Sequence, residues 1–235
     1  TISPPPSTTI SCCEPSGFDA NPRLGQSDAA MLLPLKDINP LRVIPFQFVT
    51  VATIALCAVV FLWQIALPEA EANAAVFSYG LIPSVLFDTR SLPPELARLP
   101  AEATVITSMF MHGGWMHLLG NMLYLWIFGD NVEDAMGHVR FIAFYLICGI
   151  AAGLAHAAVT ADSTTPMIGA SGAISGVLGA YLVLHPRVKV LVLLLMRIPI
   201  HMPAYIVLGI YIALQFFYVA TDSGGNTALW AHIGG

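Results

Sequence analysis

The chain has 235 residues, 57% of them hydrophobic and only 10% charged, with a formal net charge of −5 and a mean hydropathy of +0.76. Soluble domains carry roughly a quarter charged residues, so this composition excludes a large soluble core and predicts an integral membrane protein. The acidic balance, with no basic cluster, argues against nucleic-acid binding.

Residues 1–30 are rich in Pro, Ser and Thr and read as a disordered N-terminal tail. Met31 opens "MLLPLKDINPLR" and is a candidate native start, so the working membrane domain is expected to be 31–235. A first span is predicted at about 46–67, too long for the apolar core of a signal peptide. The connection 68–112 holds five prolines and the acids Glu69, Glu71, Asp88, Glu95 and Glu102. It is too long for an idle loop, and its apolar stretches 76–86 and 105–111 predict short interfacial helices. The second span is predicted at 115–128, continuing to Glu133, and the third at 139–159. The fourth opens at Ser171 and ends near Leu184, short enough to suit a helix that starts below the membrane surface. An apolar segment 188–202 containing Arg197 and Pro199 is expected to skim the interface, and the fifth span to run over 203–220. The sixth begins near Thr227 and is truncated at Gly235, because a span needs about 20 residues. The expected fold is all-α, a polytopic bundle of six transmembrane helices.

Orientation follows from the basic residues. Lys36, Arg42, Arg140, Arg187, Lys189 and Arg197 all fall on one side if the N-terminus is cytoplasmic. Ser171 and the start of the sixth helix then lie near the outer face, of a bacterial inner or plasma membrane on this reading.

Titratable groups inside a bilayer are functional hypotheses by default. His232 stands about five residues into the sixth helix, roughly 8 Å below its start at about 1.5 Å per residue. Ser171, in "MIGASGAISGVLGAY", opens the fourth. A serine hydroxyl is a weak nucleophile without an adjacent base, and His232 is the candidate whose span and side match. Small residues let two such helices approach, and Gly169, Gly172, Gly176, Ala231 and Gly235 are read as packing positions. Packing is also the whole alternative reading of Gly-Ala-Ser-Gly taken alone. Asp130, Glu133 and Asp134 lie beyond the far end of the second span, so a Ser–His dyad replaces a triad. Oxyanion donors are sought in the Ser171 backbone N–H at a helix N-terminus. His117 and Asn121 of "HGGWMHLLGN" are further candidates, four apart and so on one helix face. His112 ties the long loop to the bundle on this reading, and His156 is assigned to packing. Cys12, Cys13, Cys57 and Cys148 form no Cys-x-x-Cys pair, so no redox or zinc site is expected.

Taken together, "HGGWMHLLGN", "GASG" and "AHIGG", in this order and on these spans, resemble the rhomboid intramembrane serine proteases over roughly 31–235. The resemblance implies Ser171 as nucleophile and His232 as general base. It implies an oxyanion hole of His117, Asn121 and the backbone amides of Ala170 and Ser171. It also implies a six-helix bundle whose cavity opens to the outer face. Substrates would be single-span membrane proteins, cleaved in the bilayer without metal or cofactor. The chain departs from the family in having no Trp-Arg pair in the first loop. It also carries Ser175 where many members place an aromatic under the histidine, so a side chain of helix five or six is expected to orient that ring. Two alternatives remain: a catalytically silent relative that binds membrane proteins for quality control, and a haem- or metal-binding protein suggested by seven histidines. Facing His pairs and a His-Glu-x-x-His pattern, which the second would need, do not occur.

Overall fold

A computed structural model of the chain describes residues 8–9, 32–194, 197–221 and 234. The first long helix, α1 (Phe48–Ala66), is apolar over nearly its whole length and has no cap of its own, since Gln47 makes no side-chain cap bond. Its N-terminus is satisfied from a distance. Glu133 accepts the N–H groups of Val49 and Thr50 at 2.9 and 2.8 Å and the Thr50 hydroxyl at 2.7 Å. A carboxylate at that end also complements the helix dipole. His138 Nδ1 lies 2.5 Å from the same carboxylate. The neighbouring Asp134 accepts the N–H groups of Arg42, Val43 and Ile44 at 2.9, 2.7 and 2.8 Å. Two adjacent acids with no catalytic part in the sequence reading thus grip the chain where it enters α1.

The long connection folds into α2 (Glu69–Tyr79), α3 (Pro83–Leu86) and α4 (Ala101–Thr107), with a 3₁₀ turn over Ser108–Phe110. Short helices were expected there, but α2 starts seven residues before the apolar stretch. Pro68 at its N-cap and Glu69 and Glu71 in its first turn begin it, signals that hydropathy does not see. α5 (Trp115–Met136) and α6 (His138–Val159) are joined by Gly137 alone, at φ 78°. That left-handed conformation costs glycine little.

α7 (Ser171–Leu184) packs against both α5 and α6 and forms the centre of the bundle. Leu125, Phe128 and Val132 of α5, Phe141 and Tyr145 of α6, and Val177, Leu178 and Tyr181 of α7 make its core. Gly172 and Gly176 are buried, in keeping with their packing role. α8 (Ala204–Thr221) follows. By length and composition, α1 and α6 suffice to cross a membrane, while α7 and the stretch Ala204–Phe217 are shorter apolar helices.

One segment departs from the all-α expectation. Residues 188–202 contribute a hairpin, and the chain ahead of α1 joins it. β1 (Leu32–Asp37), β2 (Lys189–Leu194) and β3 (Ile198–Pro203) make an antiparallel sheet in the order β1-β2-β3, with Asp37 opposite Val190 and Val190 opposite Met202. Val190 and Val192 are buried while Lys189 is exposed. This is the two-residue alternation of a strand with one face on a core. Pro199 and Pro203 are tolerated because β3 is an edge strand. Asp37 closes the sheet onto the helices, accepting the Tyr181 hydroxyl at 2.7 Å and the Asn131 side-chain N–H at 3.0 Å. Burial pushes its carboxyl above the ordinary value.

The long connection sits at the opposite end of the bundle, beside the start of α7. Leu81 and Met167 exchange backbone hydrogen bonds of 3.0 and 2.8 Å, and Ser84 N–H donates to Ser163 C=O at 3.0 Å. Of the proposed tail, Thr8–Thr9 is described, paired in parallel with Arg90–Ser91 of this connection.

Candidate active site

The site is built where the loop before α7 meets the first turn of α5. Gly169 is the contact. Its φ of 127° belongs to glycine, and a Cβ there would stand 2.7 Å from His117 Nε2, 2.8 Å from His117 Cε1 and 3.8 Å from Asn121 Nδ2. A bare α-carbon therefore lets the loop lie flat on the imidazole, two residues before Ser171. Gly169 N–H donates to Ser108 C=O at 2.9 Å and holds the loop in place. Sequence reasoning gave Gly169 a generic packing role; the structure makes it the seat of His117.

His117 is oriented from its own loop. Gly113 N–H donates to its Nδ1 at 3.3 Å, so a neutral ring carries its proton on Nε2, the nitrogen facing Gly169. One turn on, Asn121 is buried and its Nδ2 has no hydrogen-bond partner among the described residues. An unpaired buried donor costs roughly 1–3 kcal/mol, a penalty that an arriving oxyanion would remove. α7 supplies further donors. Its N-cap residue, Ala170, makes no side-chain cap bond, and the first N–H groups of a helix have no intrahelical acceptor. His117 and Asn121 thus lie against Gly169, in the chain that leads into Ala170 and Ser171.

Behind Ser171 a cavity of about 10 Å³ is lined by Met109, Ala152, Gly153 and Gly172 among others. Gly149, on the same wall, admits the Met109 thioether where a Cβ would collide with it. His232, Ala231 and Gly235 lie outside the described residues. Gly234, two residues past His232, is helical. A Cβ on it would come within 3.2 Å of Ala152 Cα and 2.7 Å of Ala155 Cβ. Ala152 therefore borders both the cavity at Ser171 and Gly234.

Ser175, one turn below Ser171, is half-buried, and its hydroxyl has no hydrogen-bond partner among the described residues. The Tyr211 ring stands 5.7 Å from that of Tyr124, one turn beyond Asn121 on α5. Tyr211 belongs to α8, so an aromatic of the fifth apolar segment stands beside α5 one turn beyond Asn121, a placement that periodicity along one chain segment cannot reveal. His112 is fully buried beside His117, ring centroids 5.1 Å apart. Its backbone exchanges hydrogen bonds of 3.2 and 3.3 Å with the Gln64 side chain of α1. Desolvation, with the His117 charge adding to it, pushes its imidazole down to about 4. It is a neutral tie between loop and bundle. Among the described residues no cluster of His, Cys, Asp or Glu could hold a metal ion.

The Rhomboid domain family model matches residues 101–235, which span the α5 turn, the α7 start and the sixth segment. Relatives include Rhomboid protein 1, mitochondrial, of Saccharomyces cerevisiae, 32% identical over 128 residues (51% of this chain and 36% of that protein). RHOMBOID-like protein 5 of Arabidopsis thaliana is 36% identical over 78 residues, or 33% and 25% of the two chains. Rhomboid-like protease 5 of Toxoplasma gondii is 40% identical over 80 residues, or 32% and 9%. The matched stretches thus span between 9% and 36% of these three proteins. With the family domain covering more than half its length, the chain belongs to the rhomboid family of membrane-embedded proteins.

Proposed function

We propose that this chain is an intramembrane serine endopeptidase, with Ser171 as nucleophile and His232 as general base. The observation that carries the reading is the seating of His117 and Asn121 against Gly169, which aims two side-chain donors at the uncapped N-terminus where Ser171 begins. In the reaction, His232 takes the Ser171 proton as the hydroxyl attacks a peptide carbonyl. The tetrahedral oxyanion is met by His117 Nε2–H, Asn121 Nδ2–H and the Ala170 and Ser171 amides. His232 returns the proton to the leaving amine, and a water hydrolyses the acyl-enzyme to restore the serine. Neither metal nor cofactor takes part. Gly234 against Ala152 supports the approach of the sixth segment to Ser171.

Substrates are single-span membrane proteins cleaved near the outer part of the bilayer. Residues that weaken a helix favour cleavage, because they free the scissile carbonyl. Six spans, a cytoplasmic N-terminus and a site open to the outer face complete the reading. The six exposed cations Lys36, Arg42, Arg140, Arg187, Lys189 and Arg197 support that orientation by collecting at the sheet end. The yeast relative is named mitochondrial, so the comparisons lend no support to a bacterial membrane.

The test is covalent labelling by a fluorophosphonate of the wild type, Ser171→Ala and His232→Ala. Labelling at Ser171 that vanishes in both variants is expected. Equal labelling of all three, or none in a folded wild type, rejects the protease; the second result favours the silent membrane-protein binder.

A further inference from the structure

The proton position on His117 depends on one peptide group, and α1 holds that group. Gln64 stands two residues before the end of α1, a helix long and apolar enough to cross a membrane, and is only 6% exposed. A buried amide in such a helix is costly unless its oxygen and nitrogen are both paired. Both are. Its Oε1 accepts the His112 N–H at 3.2 Å, and its Nε2–H donates to the His112 C=O at 3.3 Å.

That carbonyl belongs to the peptide joining His112 to Gly113. The N–H of the same peptide donates to His117 Nδ1 at 3.3 Å. A trans peptide is planar, with its C=O and N–H on opposite edges, and the described chain has no cis bond. Fixing the oxygen therefore fixes the direction of the hydrogen. The Gln64 amide and the His117 imidazole are linked through this single rigid unit. Each bond in such a chain polarises the next, so losing the first weakens the last. Neighbouring side chains do not wedge the turn. A Cβ on Gly113 would find only ordinary contacts, at 3.8 and 3.9 Å, and one on Gly114 nothing within 4 Å.

A neutral imidazole carries its one proton on either nitrogen. With Nδ1 accepting from Gly113, the proton sits on Nε2, which faces Gly169, two residues before Ser171. If the peptide turned, Nδ1 could take the proton. Nε2 would then present a lone pair to an arriving oxyanion, and a donor would become a source of repulsion.

We infer that Gln64 is a positioning residue of the active site, which through the His112–Gly113 peptide selects the His117 tautomer able to donate to the oxyanion. The catalytic consequence rests on the proteolytic reading; the choice of tautomer does not.

The experiment uses the full chain in detergent micelles, with two readouts. Nitrogen NMR of histidine-labelled protein distinguishes protonated from unprotonated ring nitrogens, the His117 signals being those lost in His117→Ala. The second readout is the rate of phosphonylation by a fluorophosphonate as a function of its concentration. Gln64→Met keeps the length of the side chain and removes both donor and acceptor. Gln64→Glu, when protonated, offers the same acceptor and donor as the amide, and when ionised offers no donor.

Wild type is expected to hold His117 protonated on Nε2. Gln64→Met should show mixed tautomers. Its limiting rate should fall by between roughly tenfold and the 10²–10³ of a donor removed outright, with the half-saturating concentration unchanged. Gln64→Glu should follow wild type at low pH and Gln64→Met at high pH, each rate taken as a ratio to wild type at that pH. A merely structural tie would lower the unfolding temperature and leave the tautomer alone. Wild-type tautomer in Gln64→Met would therefore overturn the inference, as would protonation on Nδ1 in wild type. A changed tautomer with an unchanged limiting rate would overturn its catalytic consequence. If Gln64→Met does not fold, Gln64→Glu decides, and a tautomer that ignores ionisation of the glutamate overturns the inference. No labelling of a folded wild type would reject the protease, while the NMR result still decides what Gln64 does.

Discussion

Substituting Gly169 by alanine perturbs backbone and site together, and the two effects separate. At φ 127° an alanine sits where side chains rarely go, at a cost of roughly 1–3 kcal/mol. Its Cβ would stand 2.7 Å from His117 Nε2, so either the loop lifts or the imidazole turns away. Losing one oxyanion donor lowers turnover by about 10²–10³. Gly169→Ala should therefore unfold several degrees lower and be phosphonylated by a fluorophosphonate at least a hundredfold more slowly, on the order of one donor lost. A double-mutant cycle separates the causes. In a His117→Ala background the new Cβ has room, so the kinetic loss on adding Gly169→Ala should nearly vanish while the backbone cost remains. Phosphonylation of Gly169→Ala at the wild-type rate would refute the reasoning, as would losses that simply multiply in the double variant.

Three further outcomes follow from the scaffold. Glu133→Gln replaces one oxygen of a carboxylate that accepts from Val49, Thr50 and the Thr50 hydroxyl with an N–H₂ group facing donors. It should cost roughly 3 kcal/mol in detergent unfolding, and an unchanged midpoint would show that the latch contributes nothing. Asp134 and Asp37 should respond to pH with opposite signs. Burial would raise the Asp134 carboxyl, but the N–H groups of Ile44, Arg42 and Val43 outweigh it and hold it below the ordinary value. Its contribution is thus complete above about pH 3.9, the unfolded value, and is lost as pH falls through the lower folded one. Asp134→Asn should weaken the protein at pH 7 and match wild type in strong acid. Asp37 is raised by burial, so its ionisation costs stability as pH rises from about 3.9 through its folded value. Asp37→Asn, whose oxygen still accepts from Tyr181 and Asn131, should be at least as stable as wild type at pH 7; a large loss there would contradict that sign. Gly149→Ala should destabilise by about 1–3 kcal/mol through overpacking against the Met109 thioether. In a Met109→Ala background the added Gly149→Ala should cost little further in a thermal melt, because the colliding thioether is gone.

The sequence by itself determined the membrane class and the long helices near their observed bounds. These are one-dimensional signals. Apolar runs of span length, a helix opening at Ser171, and His117 one turn before Asn121 are all read along a single segment. The hairpin at 189–203 was illegible for the same reason. A short Val- and Leu-rich run fits a buried strand, a helix or an interfacial segment equally, and only its pairing with Leu32–Asp37, about 155 residues away, decides for a strand. Glu133 and Asp134 looked idle because the amides they bind lie some 80 to 90 residues upstream. Gly169 looked like one more small residue until folding set it on His117, and Tyr211 had no relation to Tyr124 before α8 packed on the bundle. Periodicity records what each segment prefers to bury, whereas a site is made where segments meet, and the distances at those meetings are set by the packing of the whole bundle.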